Sequence, residues 1–200
     1  MSGVSADWDE FAADWDDDPA ARAYASAASG SLVGLLDERN QRLADMRVLD
    51  FGCGTGLLAE HLVDAGVASI DAVDTSQAML DVLEDKRVRA GWDHVRTAQQ
   101  LPAAPDGYDL VVCSSVCSFL PDYPGTVAQL AASLVAGGTF VQWDWELDPT
   151  DDDPHGLTRD SIGDALARAG LADIRVAKAF TVAVDGVEMA PLVGIGSIPS

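Results

Sequence analysis

The residues best suited to chemistry surround a glycine-rich segment about a quarter of the way along the chain. Residues 48–56 read VLDFGCGTG, which places an acidic side chain two positions before three alternating glycines. Glycines allow a tight turn and let a ligand approach the backbone without meeting Cβ atoms. If a helix follows, its unpaired N–H groups suit a carboxylate or another electron-rich ligand group.

A second acidic residue, Asp74, ends the next apolar segment of the chain. An acidic side chain at the end of that strand can accept hydrogen bonds from both hydroxyls of a ribose. The glycine turn, its flanking strand and helix, and Asp74 together predict a ligand that contains a nucleoside. A turn with a purely structural role is the alternative interpretation.

The glycine spacing indicates which kind of ligand this is. Dinucleotide sites follow the pattern GxGxxG, whereas the glycines here are Gly52, Gly54 and Gly56, followed by Leu57. A carboxylate at Asp50 would be unfavourable beside a pyrophosphate but favourable beside a cationic group. The spacing therefore disfavours a nucleotide-dependent oxidoreductase, which remains one alternative, and favours a positively charged cofactor.

The elements expected to position these residues alternate between strands and helices. Such alternation predicts an α/β fold: a Rossmann-like, doubly wound, mostly parallel seven-stranded sheet with a closing antiparallel hairpin. We expect a single domain over residues 1–200, with an N-terminal helical segment at 1–45 and the core at 46–200. The predicted strands are 47–51, 69–74, 95–98, 108–113, 139–143, 174–184 and 189–198, the last two joined around Asp185-Gly186. The predicted helices are one or two over 6–29, then 31–43, 57–65, 76–84, 124–135 (stopped by Gly137-Gly138) and 158–169.

The composition restricts the partners. The formal net charge is −21, and Lys86 and Lys178 are the only lysines. So acidic a surface repels nucleic acids and anionic membranes, and we expect to find neither among the partners. An acidic proteome adapted to high salt and a GC-rich genome both account for the excess of Asp. The first residues resemble no secretion signal, which predicts a cytoplasmic protein. Three cysteines without CxxC spacing predict reduced, mostly buried thiols and no metal site.

Several stretches, in order, resemble the class I S-adenosylmethionine-dependent methyltransferases, especially their small-molecule group. The resemblance covers roughly residues 8–198, nearly the whole chain. It implies S-adenosyl-L-methionine as cofactor and a small-molecule methyl acceptor. The matching stretches are 48–56, 72–80, 100–102 followed by 107–112, 134–140 and 155–171.

The resemblance also implies roles for individual residues. Asp50 would help to hold the amino group of the cofactor, and Asp74 would bind its ribose. The methionine part would be lined by Gly52, Gly54, Thr55 and Gly56. Thr97 and Ala98 would contact the adenine, although many family members have Asp or Asn at the Thr97 position. Ser114 ends a strand whose backbone approaches the cofactor in the family.

No catalytic residue follows from the fold, because the cofactor itself carries the activated methyl group. His155 is either a general base or an exposed histidine. Trp8, Trp15 and Tyr24 form either a lid over the site or part of the core. Alternation over residues 143–146 places two tryptophans on one face and two acids on the other, and one of these pairs is expected to reach the pocket.

Two further features receive structural interpretations. Cys113 and Cys117 suggest metalloid chemistry only weakly, and the acidic run 151–153 is interpreted as a solvated loop rather than a cation site. The leading hypothesis is a small-molecule methyltransferase. A regulatory or partner protein that binds the cofactor without transferring the methyl group is the alternative.

Overall fold

A seven-stranded sheet forms the centre of the computed structural model, which describes residues 8–104, 106–150 and 156–200. Its strands are β1 (Arg47–Phe51), β2 (Ser69–Val73), β3 (Val95–Ala98), β4 (Tyr108–Ser114), β5 (Leu134–Asp144), β6 (Ala172–Lys178) and β9 (Leu192–Ser197). They lie in the order β3-β2-β1-β4-β5-β9-β6. Neighbours from β3 to β5 are parallel, whereas β9 is antiparallel to both β5 and β6. The predicted α/β fold is confirmed.

The strand order reverses next to β1, which lies between β2 and β4. In open α/β sheets, ligands bind in the crevice outside the carboxyl ends of the strands at such a reversal. The glycine turn directly follows β1 and therefore lies in this crevice.

The described residues form five helices that cover the sheet: α1 (Pro19–Asp37), α2 (Leu57–Asp64), α3 (Gln77–Ala90), α4 (Tyr123–Ala131) and α5 (Arg159–Arg168). Successive strand residues point to opposite faces, so Val48 packs with α1 and α2 whereas Leu49 packs with α4 and α5. Each face of the sheet thus has its own apolar core. No helix among the residues described is long and apolar enough to cross a membrane.

The N-terminal segment differs from its prediction. Separate helices over 6–29 and 31–43 were wrong, because α1 is continuous through Gly30. Two short 3-10 turns precede it, at Trp8–Glu10 and Trp15–Asp17. The Asp18 side chain accepts the Ala20 N–H at 2.8 Å and so caps α1. A helical glycine costs only about 1 kcal/mol, and the packing of buried Ala28 and Leu32 on either side of it outweighs this.

The segment before β5 also corrects the prediction. Helix α4 ends at Ala131, not at 135, and Gly137-Gly138 lies within β5 instead of stopping a helix. The pairing of β4 with β5 shifts between Tyr108 and Leu110 at this point. A Cβ at Gly138 would lie 2.9 Å from the Val135 carbonyl oxygen. The two glycines therefore allow β5 to begin irregularly, at a point where neighbouring backbone segments approach closely.

The closing hairpin is broken into two parts. Its base is the β6–β9 pair in the main sheet, and its tip is a separate pair, β7 (Val182–Val184) and β8 (Val187–Met189). The predicted turn is confirmed, since Asp185 and Gly186 both have positive φ, of 51° and 82°. The strands are not continuous as predicted. Pro191 interrupts them because it has no N–H to donate to a ladder.

Candidate functional site

The glycine turn is tied to the end of β2 by backbone contacts. The N–H groups of Gly52 and Cys53 both donate to the Val73 carbonyl oxygen, at 2.7 and 3.1 Å. The next N–H, from Gly54, donates to the Asp74 Oδ2 at 2.9 Å. The turn and the acid that sequence analysis singled out therefore form one unit at the sheet reversal.

The glycines of the turn have different surroundings. A Cβ at Gly52 would lie 2.5 Å from the Cβ of Val116, and one at Gly56 would lie 2.4 Å from a Leu83 methyl group. At Gly54 the nearest atom would be the Met79 sulfur, at 4.0 Å. Packing therefore requires the outer glycines, whereas the middle one borders open space.

Asp50 is the most unusual side chain of the site. It is fully buried, and neither carboxylate oxygen has a hydrogen-bond partner among the residues described. Burial, and to a lesser degree the charge of Asp74, raises the pKa of Asp50 to about 7. An unpaired buried carboxylate is costly, so a cationic group placed beside it would be held strongly.

Asp74 lies half-buried and fixes two backbone segments. Besides the Gly54 N–H, it accepts the Ser76 N–H on Oδ1 at 2.9 Å. Ser76 in turn caps α3, its hydroxyl accepting the Met79 N–H at 3.1 Å. Each carboxylate oxygen keeps a further lone pair, so the predicted contact with two ribose hydroxyls remains compatible with this geometry.

The residues predicted near the adenine follow on β3. Ala98 is paired with Val73, and its carbonyl accepts the Asp74 N–H at 3.2 Å. The Thr97 hydroxyl lies beside Glu84 of α3. The pKa of Glu84 is lowered mainly by Arg87 and to a smaller extent by Thr97. The adenine contact of Thr97 and Ala98 remains a prediction.

The N-terminal segment reaches the glycine turn directly. The Thr55 hydroxyl donates to the Asp16 Oδ1 at 2.6 Å. The other oxygen of Asp16 pairs with Lys86 at 2.5 Å, and Lys86 also pairs with Glu60 at 2.6 Å. Both charged groups of the Asp16–Lys86 pair are largely shielded from solvent. The segment is therefore anchored across the crevice by one buried cation.

Further aromatic and polar contacts hold this N-terminal segment, residues 8–18, over the crevice. The Ser76 hydroxyl donates to Asp9 at 2.5 Å. The Trp8 ring lies 5.3 Å from Phe119, beyond β4, and 6.2 Å from Trp15. Residues 8–18 thus bridge the start of α3 and the segment after β4. Trp8 and Trp15 are half-buried in this segment, and their role as a lid remains a prediction, whereas Tyr24 is buried in the core on α1.

The ends of β4 and β5 add Ser115 and Ser118, which sequence analysis did not select. Ser114 pairs with Trp143, and the next residue, Ser115, has a positive φ of 55°. Its N–H donates to the Trp143 carbonyl at 2.8 Å. Asp144 accepts the Ser118 N–H at 3.0 Å. Two serines directly after an apolar strand were the available signal for this region.

The alternation over 143–146 is confirmed in part. Trp143 and Trp145 face α1, since the Trp143 indole N–H donates to Ser31 at 3.2 Å and Trp145 contacts Tyr24. The acids separate: Asp144 is fully buried, whereas Glu146 is exposed and pairs with Arg159. Asp144 and Glu146 therefore do not reach the pocket as a pair, because β5 ends at Asp144. Contact of the tryptophan pair with the pocket remains a prediction.

The remaining candidates do not contribute to this geometry. His155 and the acidic run 151–153 lie outside the described residues. All three cysteines are free and buried, which confirms the prediction of buried thiols. A cavity of about 360 Å³ lies at the amino ends of the strands, away from the glycine turn. It is formed by the segment before β1 and the first residues of β5.

Comparison with known proteins agrees with the site. A family model described as a methyltransferase domain matches residues 22–176. The ubiquinone biosynthesis O-methyltransferase of Saccharophagus degradans is 34% identical over 107 residues, which are 52% of this chain and 44% of that protein. The malonyl-[acyl-carrier protein] O-methyltransferase of Halalkalibacterium halodurans is 38% identical over 120 residues, 55% of this chain and 44% of that protein. The chain thus spans less than half the length of these curated relatives.

Solved structures show the same fold. A methyltransferase from Haloferax volcanii, solved in complex with the Trm112 methyltransferase activator, superposes with a TM-score of 0.77 at 19% identity, covering 99% of this chain and 100% of that one. Magnesium protoporphyrin IX methyltransferase from Synechocystis PCC 6803, with bound S-adenosylhomocysteine (SAH), gives a TM-score of 0.65 at 17% identity, covering 86% and 82%.

Proposed function

The chain belongs to the class I S-adenosylmethionine-dependent methyltransferase family, and we propose that it transfers the methyl group of S-adenosyl-L-methionine to a small-molecule acceptor. Asp50 is the observation that carries the proposal. Its buried carboxylate has no partner among the described residues and lies at the end of β1 beside the glycine turn. The ammonium group of the cofactor is a cation of the kind that such a carboxylate needs.

The other predicted contacts fit the same cofactor. Asp74 holds the turn through Gly54 and has lone pairs left for the ribose. The open space at Gly54 admits the methionine part of the cofactor. In this proposal Thr55 and Gly56 complete the turn, as the resemblance implies, with Gly52 before them. Thr97, Ala98 and Ser114 border the adenine and the sulfur.

In the reaction the protein binds the cofactor and the acceptor, orients them and excludes water. When bound, the cofactor supplies a methyl group activated by its sulfonium charge. Asp50 and Asp74 would hold the cofactor, and transfer to an acceptor hydroxyl would leave SAH and one proton as the other products. Residues 8–18, held over the crevice by Asp16, keep bulk water from the site.

The named relatives favour oxygen as the acceptor atom. Both sequence relatives described above are O-methyltransferases by name. We therefore extend the proposal to a small molecule with an acceptor hydroxyl or carboxyl group. The repulsion expected between nucleic acids and a chain of net charge −21 agrees with a small acceptor. Three reduced, buried cysteines agree with a cytoplasmic location.

The test combines binding with turnover. Calorimetry should show binding of S-adenosylmethionine and SAH but not of NAD. Labelled cofactor, incubated with phenols, amines and carboxylic acids, should transfer its methyl group to one class. Tighter binding of NAD than of SAH would overturn the assignment. Cofactor binding without transfer to any acceptor would instead support the alternative, a regulatory protein that lacks activity.

The Haloferax structure favours a second proposal about partners. That methyltransferase was solved together with a Trm112 activator, and its whole chain superposes on this one. We propose that this chain also binds an activator protein of that kind. Co-expression with such a protein, followed by size-exclusion chromatography, should give a stable heterodimer. Separate elution of the two chains at micromolar concentration would contradict the proposal.

A further inference from the structure

Three buried hydroxyls lie near the carboxyl ends of β4 and β5. They belong to Tyr24 on α1 and to Ser115 and Ser118 after β4. All three are shielded from solvent, and none makes a hydrogen bond of good length and angle within the described part of the chain. The Tyr24 hydroxyl lies beside those of Ser114 and Ser115, and the Ser118 hydroxyl lies beside the Asp144 carboxylate. Leaving one buried donor unpaired costs about 1–3 kcal/mol. The Tyr24 and Ser115 hydroxyls, whose mutual contact is poorly aligned, therefore mark a place where a ligand can supply a better partner.

Two aromatic rings pack against the ring of Tyr24. The ring of Tyr24 lies 5.5 Å from that of Trp145, inclined by 49°, and 5.2 Å from that of Phe180, inclined by 75°. These rings come from α1, the end of β5 and the segment after β6. Offset and edge-to-face packing of this kind extends readily to a further ring. The surroundings of the hydroxyls therefore suit an aromatic ligand.

The charge near these hydroxyls is negative. Asp144 is fully buried and accepts the N–H groups of Ser118 and Trp145, each at 3.0 Å. Burial first, with the charge of Asp144 as a smaller contribution, raises the pKa of Tyr24 well above its usual value. Tyr24 is therefore a neutral donor at physiological pH. Burial raises the pKa of Asp144, and the hydrogen bonds from Ser118 and Trp145 to its carboxylate oppose this increase. A ligand carboxylate placed beside this carboxyl group is disfavoured.

The hydroxyls lie beside the glycine turn. Strand β4 runs parallel to β1, with Cys113 opposite Phe51. Val116, which follows Ser115, packs so closely on Gly52 that a Cβ there would meet its side chain. A ligand at Tyr24 and Ser115 would consequently lie next to the proposed methionine part of the cofactor, where the methyl group leaves.

We propose that Tyr24 and Ser115 bind the methyl acceptor, with Trp145 packed against it, and that the acceptor is a neutral aromatic ring bearing a hydroxyl group. This proposal rests on the proposed methyltransferase function and makes it more specific. Tyr24 donates a hydrogen bond to the acceptor oxygen. Asp144 selects phenols over benzoic acids, which are anionic at neutral pH.

Tyr24→Phe is the decisive variant, because it removes one oxygen and keeps the ring between Trp145 and Phe180. With phenols as acceptors, KM should rise about tenfold or more, the effect of losing roughly 1.4 kcal/mol of binding. The dissociation constant of SAH should stay within twofold of the unmodified protein. Ser115→Ala should raise KM in the same direction. Binding of the phenol to the SAH-loaded protein, measured by calorimetry, should weaken in parallel.

Tyr123→Phe provides the matched control. It also removes a buried phenolic oxygen, one that donates to Gln142 at 2.8 Å in the core on the opposite face of the sheet. It should lower stability and leave the KM for phenols unchanged. Equal KM values for Tyr24→Phe and the unmodified protein would overturn the assignment of Tyr24. A weaker affinity for SAH with an unchanged KM for phenols would assign Tyr24 to the cofactor site instead.

The acceptor class is tested with phenols, benzoic acids and anilines that carry the same ring substituents. Transfer to phenols is expected, and a preference for benzoic acids or anilines would overturn the proposed class. A protein that binds SAH but methylates none of the phenols would also overturn it, while leaving the cofactor assignment intact. Failure of the unmodified protein to bind SAH at all would contradict the proposed function and this pocket together.

Discussion

The Asp74 carboxylate accepts the Gly54 N–H at 2.9 Å, so a single side chain holds the end of β2 against the glycine turn that follows β1. The same carboxylate accepts the Ser76 N–H at 2.9 Å. The acid proposed to bind the ribose is therefore also the residue that shapes the turn proposed to bind the methionine part.

Replacing Asp74 should weaken cofactor binding through both roles. Each hydrogen bond to a charged acceptor contributes about 1.5–3 kcal/mol, so Asp74→Ala should weaken the binding of SAH by a factor of ten or more. Asp74→Asn keeps one oxygen for the Gly54 N–H and should lose less. Calorimetry with SAH measures both variants. An unchanged dissociation constant in Asp74→Ala would mean that other residues hold the ribose.

The affinity for a cationic cofactor should depend on pH through Asp50. Its pKa in the free protein is raised to about 7, mainly by burial. A bound ammonium group favours the ionised carboxylate, so binding expels a proton below pH 7. Affinity for SAH should therefore increase from pH 6 to pH 8 and then level off. In Asp50→Asn the affinity should be lower and this increase should be absent, as calorimetry in two buffers of different ionisation enthalpy would show.

The same carboxyl group should affect the stability of the free protein in the opposite sense. The pKa of Asp50 is about 7 in the folded chain and about 3.9 when unfolded. Its contribution to the free energy of unfolding is thus complete below pH 4 and lost as the pH rises to 7, by roughly 4 kcal/mol at most. Urea titrations at pH 5 and pH 8 should show a smaller loss in Asp50→Asn than in the unmodified protein. Equal losses would contradict the buried, unpaired state of Asp50.

The position of residues 8–18 over the crevice should depend on the Asp16 contacts with Thr55 and Lys86. Asp16→Asn removes the buried charge and should expose residues 8–18 to limited proteolysis and lower the rate of methyl transfer. Asp14→Asn is the matched control, because Asp14 is exposed and its side chain caps no backbone N–H. Equal protease resistance in both variants would mean that the segment is held by its aromatic contacts alone.

Truncation tests the same segment, and the structure sets its boundary. A deletion of residues 1–24 would remove the Asp18 cap and the buried Tyr24 of α1. Deletion of residues 1–17 keeps both and should leave a folded protein that binds SAH more weakly and transfers little or no methyl group. In the full chain, which keeps Trp8 and Trp15, tryptophan fluorescence with and without SAH should report whether this segment becomes less exposed. Full transfer activity in the truncated protein would show that the segment is dispensable.

Salt should stabilise the folded chain if its acidic surface is an adaptation. At a net charge of −21 the folded state is subject to self-repulsion, which molar salt screens over a few ångströms. A gain of about 2 kcal/mol would raise the melting temperature by roughly 4–8 °C in a chain of this size. Thermal unfolding between 0.1 and 2 M potassium chloride measures it. A flat response would favour codon composition as the origin of the Asp excess.

The sequence by itself determined the sheet and the centre of the site. Apolar runs such as 108–113, bounded by turn residues, defined the strands because a buried parallel strand must be apolar on both faces. The glycines around Gly54 and the acids Asp50 and Asp74 stood out because their spacing is local: it depends on one strand, one turn and one helix. The Asp18-Pro19 start of α1 was recognisable for the same reason, since capping involves only neighbouring residues.

Only the tertiary structure decided what lies opposite these residues. Thr55 meets Asp16 from a segment 39 residues away, and Tyr24 of α1 meets Trp145, which follows β5. Gly30 lies within helix α1 and Gly138 lies within strand β5, because packing outweighs the small conformational preference of a single glycine. The partnerless state of Asp50 is likewise invisible in the sequence. Whether a buried carboxylate has a partner depends on every element that surrounds it, and those elements come together only in the folded chain.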